Sequence, residues 1–138
     1  MVAHPPHGRA RAVILLCRAE ELKRTGARSV VLGKGVNALD IVIVEADGAR
    51  HAYINCCPHQ FIPLETFPDY FFDEKRELLV CSGHGARFEP DTGRCVEGPC
   101  RGESLDRLNI VEKDGAVYLD ESRAPEAIAR AKRAKRNW

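Results

Sequence analysis

Two short stretches pair a cysteine with a histidine: Cys57-Pro58-His59 and Cys81-Ser82-Gly83-His84. Each follows a predicted strand and falls in a loop. Thiolates and neutral imidazoles are soft-to-borderline donors, and four of them on two facing loops can enclose a metal centre. Two metals suit such a set. Zinc takes two Cys and two His tetrahedrally, but its short spacings pair Cys with Cys and His with His. Here each stretch mixes the two types. Colour tests the zinc reading, since a zinc protein is colourless.

The pattern Cys-x-His followed by Cys-x-x-His resembles the Rieske [2Fe–2S] family. The likeness continues beyond the four residues. Gly85 follows the second histidine, Arg87-Phe88 leads into the turn Asp91-Thr92-Gly93-Arg94, and Gly98-Pro99 stands where the family has its proline loop. Residues 105–119 resemble the closing hairpin and residues 12–54 the opening strands. The resemblance implies one [2Fe–2S] cluster, with Cys57 and Cys81 on one iron and His59 and His84 on the other. It also implies cluster contacts from Gln60, Gly83, Gly85, Ala86, Phe88 and Pro99. Two ferric ions, two sulfides and two thiolates sum formally to zero, where four thiolates would leave two negative charges. Imidazole ligation therefore raises the potential above that of all-cysteine ferredoxins.

Departures from the pattern refine the expectation. High-potential respiratory members carry an extra cysteine in each loop, paired as a disulfide, and two hydroxyls near the cluster sulfurs. The matching positions here are Ile62 and Gly83, and Ala86 and Phe88. A soluble, low-potential carrier is implied, similar to the ferredoxin components of ring-hydroxylating dioxygenase systems. It would take an electron from a reductase and pass it to a terminal oxygenase or reductase. Alternatives are the small subunit of an assimilatory nitrite reductase and a redox-sensing regulatory module. A Rieske oxygenase is disfavoured, because it needs a second, mononuclear iron site with two His and a carboxylate. No catalytic residue is expected.

The remaining cysteines and histidines have plainer expectations. Cys56 adjoins Cys57, but only Cys57 stands two residues before His59, and strand neighbours face opposite ways. Cys56 is expected to be a small buried side chain, and Cys17 a core residue. Cys95 and Cys100 flank the proline loop, and a reducing cytosol argues against a bridge between them. His4, His7 and His51 are expected at the surface.

The elements that must position the loops are short. Val13–Cys17 reads as β, and the charged run 19–25 as at most two helical turns. Ser29–Leu32 is a predicted strand. Asp40–Glu45 is the clearest β segment, rich in β-branched residues, and Asp47-Gly48 turns it into a returning strand over 50–55. Leu78–Cys81 and Arg87–Glu89 read as strands, residues 95–103 as a Gly/Pro loop, and residues 108–112 and 116–119 as a hairpin around Lys113-Asp114-Gly115. The 21 residues between His59 and Cys81 are more than the family usually has. Within them, 64–77 holds Phe67, Tyr70, Phe71 and Phe72 among five acids. It is either a loop whose aromatics tuck onto the barrel or a docking surface for a redox partner. The expected fold is mainly β, a small antiparallel barrel or sandwich with two cluster-binding hairpin loops and a short C-terminal helix.

The chain has 138 residues, one domain's worth, with 44% hydrophobic and 30% charged residues. Three segments are expected: a flexible N-terminus over 1–11, a Rieske domain over 12–121 and a basic helical tail over 122–138. Net charge is +1, so no overall field draws nucleic acid or membrane. That total hides an asymmetry, since residues 123–138 sum to +5 and the rest to −4. The tail has one aromatic, Trp138, and no recognisable nucleic-acid fold, so a nucleic-acid partner is not expected. No apolar run approaches the roughly 18 residues that span a bilayer. A cytoplasmic protein without a membrane partner is expected, its partners being redox proteins.

Overall fold

The computed structural model describes residues 13–33, 38–56, 58, 64, 71–81 and 85–120. Ten strands run β1 (Val13–Arg18), β2 (Ala27–Leu32), β3 (Leu39–Ala46), β4 (Ala49–Ile54), β5 (Leu79–Val80), β6 (Arg87–Phe88), β7 (Cys95–Glu97), β8 (Arg107–Leu108), β9 (Ile110–Lys113) and β10 (Ala116–Asp120). A single 3₁₀ turn, Ala19–Leu22, stands where at most two helical turns are predicted. The strands pair antiparallel into three sheets of order β1-β10-β9, β2-β3-β4-β8 and β5-β6-β7. Among the described residues the sandwich alternative is therefore the one realised, not a closed barrel. The C-terminal helix expected over 122–138 lies outside the described residues, as do His4 and His7.

The four-stranded sheet is central because β3 is apolar on both faces. Ile41 and Ile43 enter one core cluster with Leu16, Cys17, Leu22, Ala52, Ile54, Leu108, Val117 and Leu119. Val42 and Val44 enter a second with Tyr53, Leu64, Phe71, Leu79, Cys81, Ala86, Phe88, Cys95 and Cys100. A strand covered on both sides has no polar face to show, which explains the unbroken run Ile41-Val42-Ile43-Val44. The first cluster joins the central sheet to β1-β10-β9. The second joins it to β5-β6-β7, the sheet that carries the Cys81 loop.

Local chemistry sets the turns. Asp47-Gly48 and Asp114-Gly115 both take positive φ, at 53° and 78° and at 52° and 77°. Those values suit two-residue turns whose twist matches the flanking strands. β1 pairs with β10 but skips Leu16, so Leu15 faces Tyr118 and Cys17 faces Val117. That bulge lets Leu16 and Cys17, neighbours in sequence, both reach the core.

The structure corrects three expectations. Residues 95–103 are not all loop, because Cys95–Glu97 pairs with β6. Cys56 is half-buried, packed at the margin of the first cluster rather than enclosed. His51 is not a plain surface residue. Its Nδ1 lies 2.7 Å from Arg107 Nη2. Arg107 Nη1 in turn donates to the Tyr53 hydroxyl at 3.0 Å and the Asp91 carbonyl at 2.8 Å.

Candidate metal centre

Two loop bases meet the second core cluster. The first follows β4. Ile54 N–H donates to the Asp106 carbonyl and Asn55 N–H to the Asp40 carbonyl, both at 2.8 Å. The Asn55 side chain, only 4% exposed, closes the loop from inside. Its Oδ1 accepts from Leu64 N–H at 2.9 Å and its Nδ2 donates to Asp40 Oδ1 at 3.3 Å. Asn55 and Leu64 are thus joined by one buried amide. Sequence reasoning missed Asn55, although its place directly before Cys56-Cys57 is where a loop-closing amide would stand.

The second base lies between β5 and β6. Cys81 N–H donates to the Ala86 carbonyl and Gly85 N–H to the Cys81 carbonyl, each at 2.8 Å. This pair of bonds holds Gly85 and Ala86 beside Cys81. Gly85 takes φ +73° with open space where a Cβ would stand, so backbone conformation, not crowding, calls for glycine there. Cys81 and Ala86 are buried and belong to the core cluster, and so does Phe88. The proline loop presses on this base. A Cβ on Gly98 (φ +102°) would stand 2.7 Å from Ala86 Cα. Pro99 follows at the surface.

Of the residues implied as ligands or cluster contacts, Cys81, Gly85, Ala86, Phe88 and Pro99 are described. The structure brings Cys81, Gly85 and Ala86 together with Gly98-Pro99. Cys57, His59, Gln60, Gly83 and His84 lie outside the described residues. What is described fits an iron–sulfur group. A buried thiol stands at the root of a loop tied off by its own backbone, and soft sulfur donors suit such clusters.

The stretch before β5 is built around Asp73. Its Oδ1 accepts from the N–H groups of Glu77 at 2.9 Å and Leu78 at 3.3 Å. Burial would raise this carboxyl's pKa, but those N–H groups and the Arg87 guanidinium outweigh it and hold it below its ordinary value. Phe71 is buried in the core and Phe72 packs against it, so these two aromatics tuck onto the fold. Phe67 and Tyr70 lie outside the described residues.

Comparison with known proteins agrees with this architecture. The sequence matches the Rieske [2Fe-2S] domain family over residues 12–121. A search of curated proteins gives no match. Among solved structures, the Sphingomonas yanoikuyae B1 ferredoxin superposes with a TM-score of 0.62 at 22% identity, covering 79% of this chain and 98% of that one. The ferredoxin of carbazole 1,9a-dioxygenase from Nocardioides aromaticivorans IC177 gives 0.59 at 16%, covering 78% and 96%. The terminal oxygenase of carbazole 1,9a-dioxygenase from the same organism gives 0.63 at 20%, but only 30% of that chain is covered. At these identities the superpositions speak to the fold, and the family match carries the assignment. The chain belongs to the Rieske family and carries one [2Fe–2S] domain.

Proposed function

We propose that the protein is a one-electron carrier, taking electrons from a reductase and passing them to a terminal oxygenase or reductase. The observation that carries this reading is the pair of anchored loop bases. Asn55 bonds to Leu64 across the segment whose sequence contains Cys57 and His59, and Cys81 bonds to Gly85 and Ala86 across the segment whose sequence contains His84. Thiolates of Cys57 and Cys81 would hold one iron and imidazoles of His59 and His84 the other. The bound cluster supplies reversible one-electron chemistry. The chain's own part is to keep the donors in place in both oxidation states, since small reorganisation favours fast transfer. Gln60, Gly83, Gly85, Ala86, Phe88 and Pro99 would shape the surroundings of the cluster.

The fold matches two ferredoxins over nearly their whole length, which supports the carrier reading. No helix among the described residues is long and apolar enough to cross a membrane. A cytoplasmic setting with redox-protein partners is part of the proposal.

Anaerobic titration with dithionite tests it. A red-brown protein should bleach with one electron per chain, and a flavoprotein reductase with NAD(P)H should reproduce the bleaching. A terminal oxygenase should then reoxidise the protein. Reoxidation by a nitrite reductase large subunit alone would move the assignment to that system. A colourless, zinc-containing chain would overturn the reading.

A further inference from the structure

Cys95 and Cys100 form a second thiol site, apart from the four candidate ligands. Cys95 opens β7 and Cys100 follows Pro99, and each is 1% exposed. The Cys100 thiol donates to Cys95 Sγ at 3.2 Å, and the Cys95 thiol to the Glu97 carbonyl at 3.1 Å. A disulfide needs about 2.05 Å between sulfurs, so closure asks for a shift of roughly 1 Å. The backbone has already drawn the ends of this segment together. Cys95 N–H donates to the Glu103 carbonyl at 2.7 Å, Gly102 N–H to the Cys95 carbonyl at 3.1 Å and Glu103 N–H to the Cys100 carbonyl at 2.9 Å. Little loop entropy remains to be lost on bonding.

Cys95 also borders a cleft, whereas Cys100 does not line it. This cleft of about 290 Å³ is lined by Arg94, Cys95, Val96, Arg101 and Gly102. Val96 is the residue skipped between β6 and β7, where Arg87 pairs with Glu97 and Phe88 with Cys95. This irregularity breaks the regular pairing beside Cys95. Arg94 and Arg101, both exposed, suit a small anionic reagent.

We propose that Cys95 and Cys100 are a reversible dithiol/disulfide site that reacts with small anionic disulfides of the glutathione type. The Cys95 thiolate attacks one sulfur of the reagent, whose S–S bond breaks and releases one thiol carrying the proton. Cys100 then attacks the mixed disulfide at Cys95 Sγ, releasing the second thiol. Two thiols of the protein are oxidised and one reagent disulfide is reduced to two thiols. The thiol form is the resting state here, and the bonded form is a transient of the kind reducing compartments allow. Because Gly98 lies between the two cysteines and its backbone rests on Ala86, the bond would staple the loop that presses on the Cys81 base. The proposal does not depend on the cluster ligands, and its test reads the two cysteines directly.

Trypsin cleaves after Arg94 and Arg101, so both cysteines fall in one peptide, Cys95–Arg101. The purified holoprotein is equilibrated with graded ratios of glutathione disulfide to glutathione, quenched in acid, alkylated with N-ethylmaleimide in denaturant and digested. The doubly alkylated peptide should give way to an unalkylated form lighter than the dithiol by two hydrogens, and dithiothreitol should restore it. The peptide bearing Cys17 should stay alkylated throughout, since burial pushes that thiol up to about 11. In Cys100→Ser a mixed disulfide with glutathione should accumulate on Cys95, and faster than on Cys100 in Cys95→Ser. A peptide 95–101 that stays doubly alkylated at ratios that fully oxidise free dithiothreitol would overturn the proposal. Faster capture at Cys100 would overturn the order of attack.

Discussion

At positions 86 and 88 the chain offers a methyl group and a phenyl ring, both fully buried. Neither side chain can donate a hydrogen bond, so with the proposed ligation negative charge arriving on a cluster sulfur beside them would go unstabilised there. The midpoint potential should therefore lie near the bottom of the Rieske range, about −150 mV. Ala86→Ser should raise it, and so should Phe88→Tyr, each if the new hydroxyl reaches sulfur; voltammetry of the wild type and both variants checks this. A wild-type value above roughly +100 mV, well inside the range for this cluster type, would refute the argument. Ligand assignments belong to the same scale. Replacing Cys57, His59, Cys81 or His84 by Ala should abolish the visible [2Fe–2S] spectrum, while Cys56→Ala and Cys95→Ala should keep it. A normal spectrum in Cys57→Ala would transfer the ligand role to Cys56.

Between neighbouring elements, two contacts set the loops. Asn55→Ala removes the acceptor for Leu64 N–H from a buried position. Leaving such a group unsatisfied costs about 1–3 kcal/mol. The variant should melt lower and lose iron faster to a chelator, because it frees the far end of the first loop. Gly98→Ala should cost on the order of 1–3 kcal/mol through its backbone conformation, and its Cβ would meet Ala86 Cα at 2.7 Å. Equal melting temperatures for wild type and both variants would contradict these contacts. The strands of this region were largely legible in sequence. The Asp47-Gly48 and Asp114-Gly115 turns declare their hairpins, and the β-branched run over 40–45 declares β3, although its burial on both faces emerges only from the two core clusters. The bulge at Leu16 and the strand at Cys95–Glu97 were not legible. Each depends on a partner strand distant in sequence, which local propensity cannot see. Cys81, Gly85 and Gly98 were readable from motif spacing, whereas Asn55 acts through a hydrogen bond to Leu64 across a loop, which spacing does not encode.

For the molecule as a whole, His51 is one group through which pH acts. Burial lowers its pKa from 6.5, and the Arg107 guanidinium lowers it further, against weaker pulls from Asp91, Asp47 and Glu112. A folded-state pKa below the unfolded one means the unfolded chain binds the extra proton first. His51 therefore contributes stability above about pH 6.5, and that contribution is lost as pH falls from there toward the depressed folded value. In His51→Gln this part of the pH dependence should disappear. Thermal melts of both proteins between roughly pH 5 and 8 check it, and parallel curves would contradict it. The central claim, that two histidines and two cysteines hold one cluster in this fold, is most directly tested by pulsed EPR on the dithionite-reduced protein labelled with ¹⁵N-histidine. Hyperfine couplings from two imidazole nitrogens bound to one iron should appear, and should vanish when His59 and His84 are both replaced by cysteine. A reduced [2Fe–2S] signal with no histidine nitrogen coupling would mean an all-cysteine cluster and would contradict it.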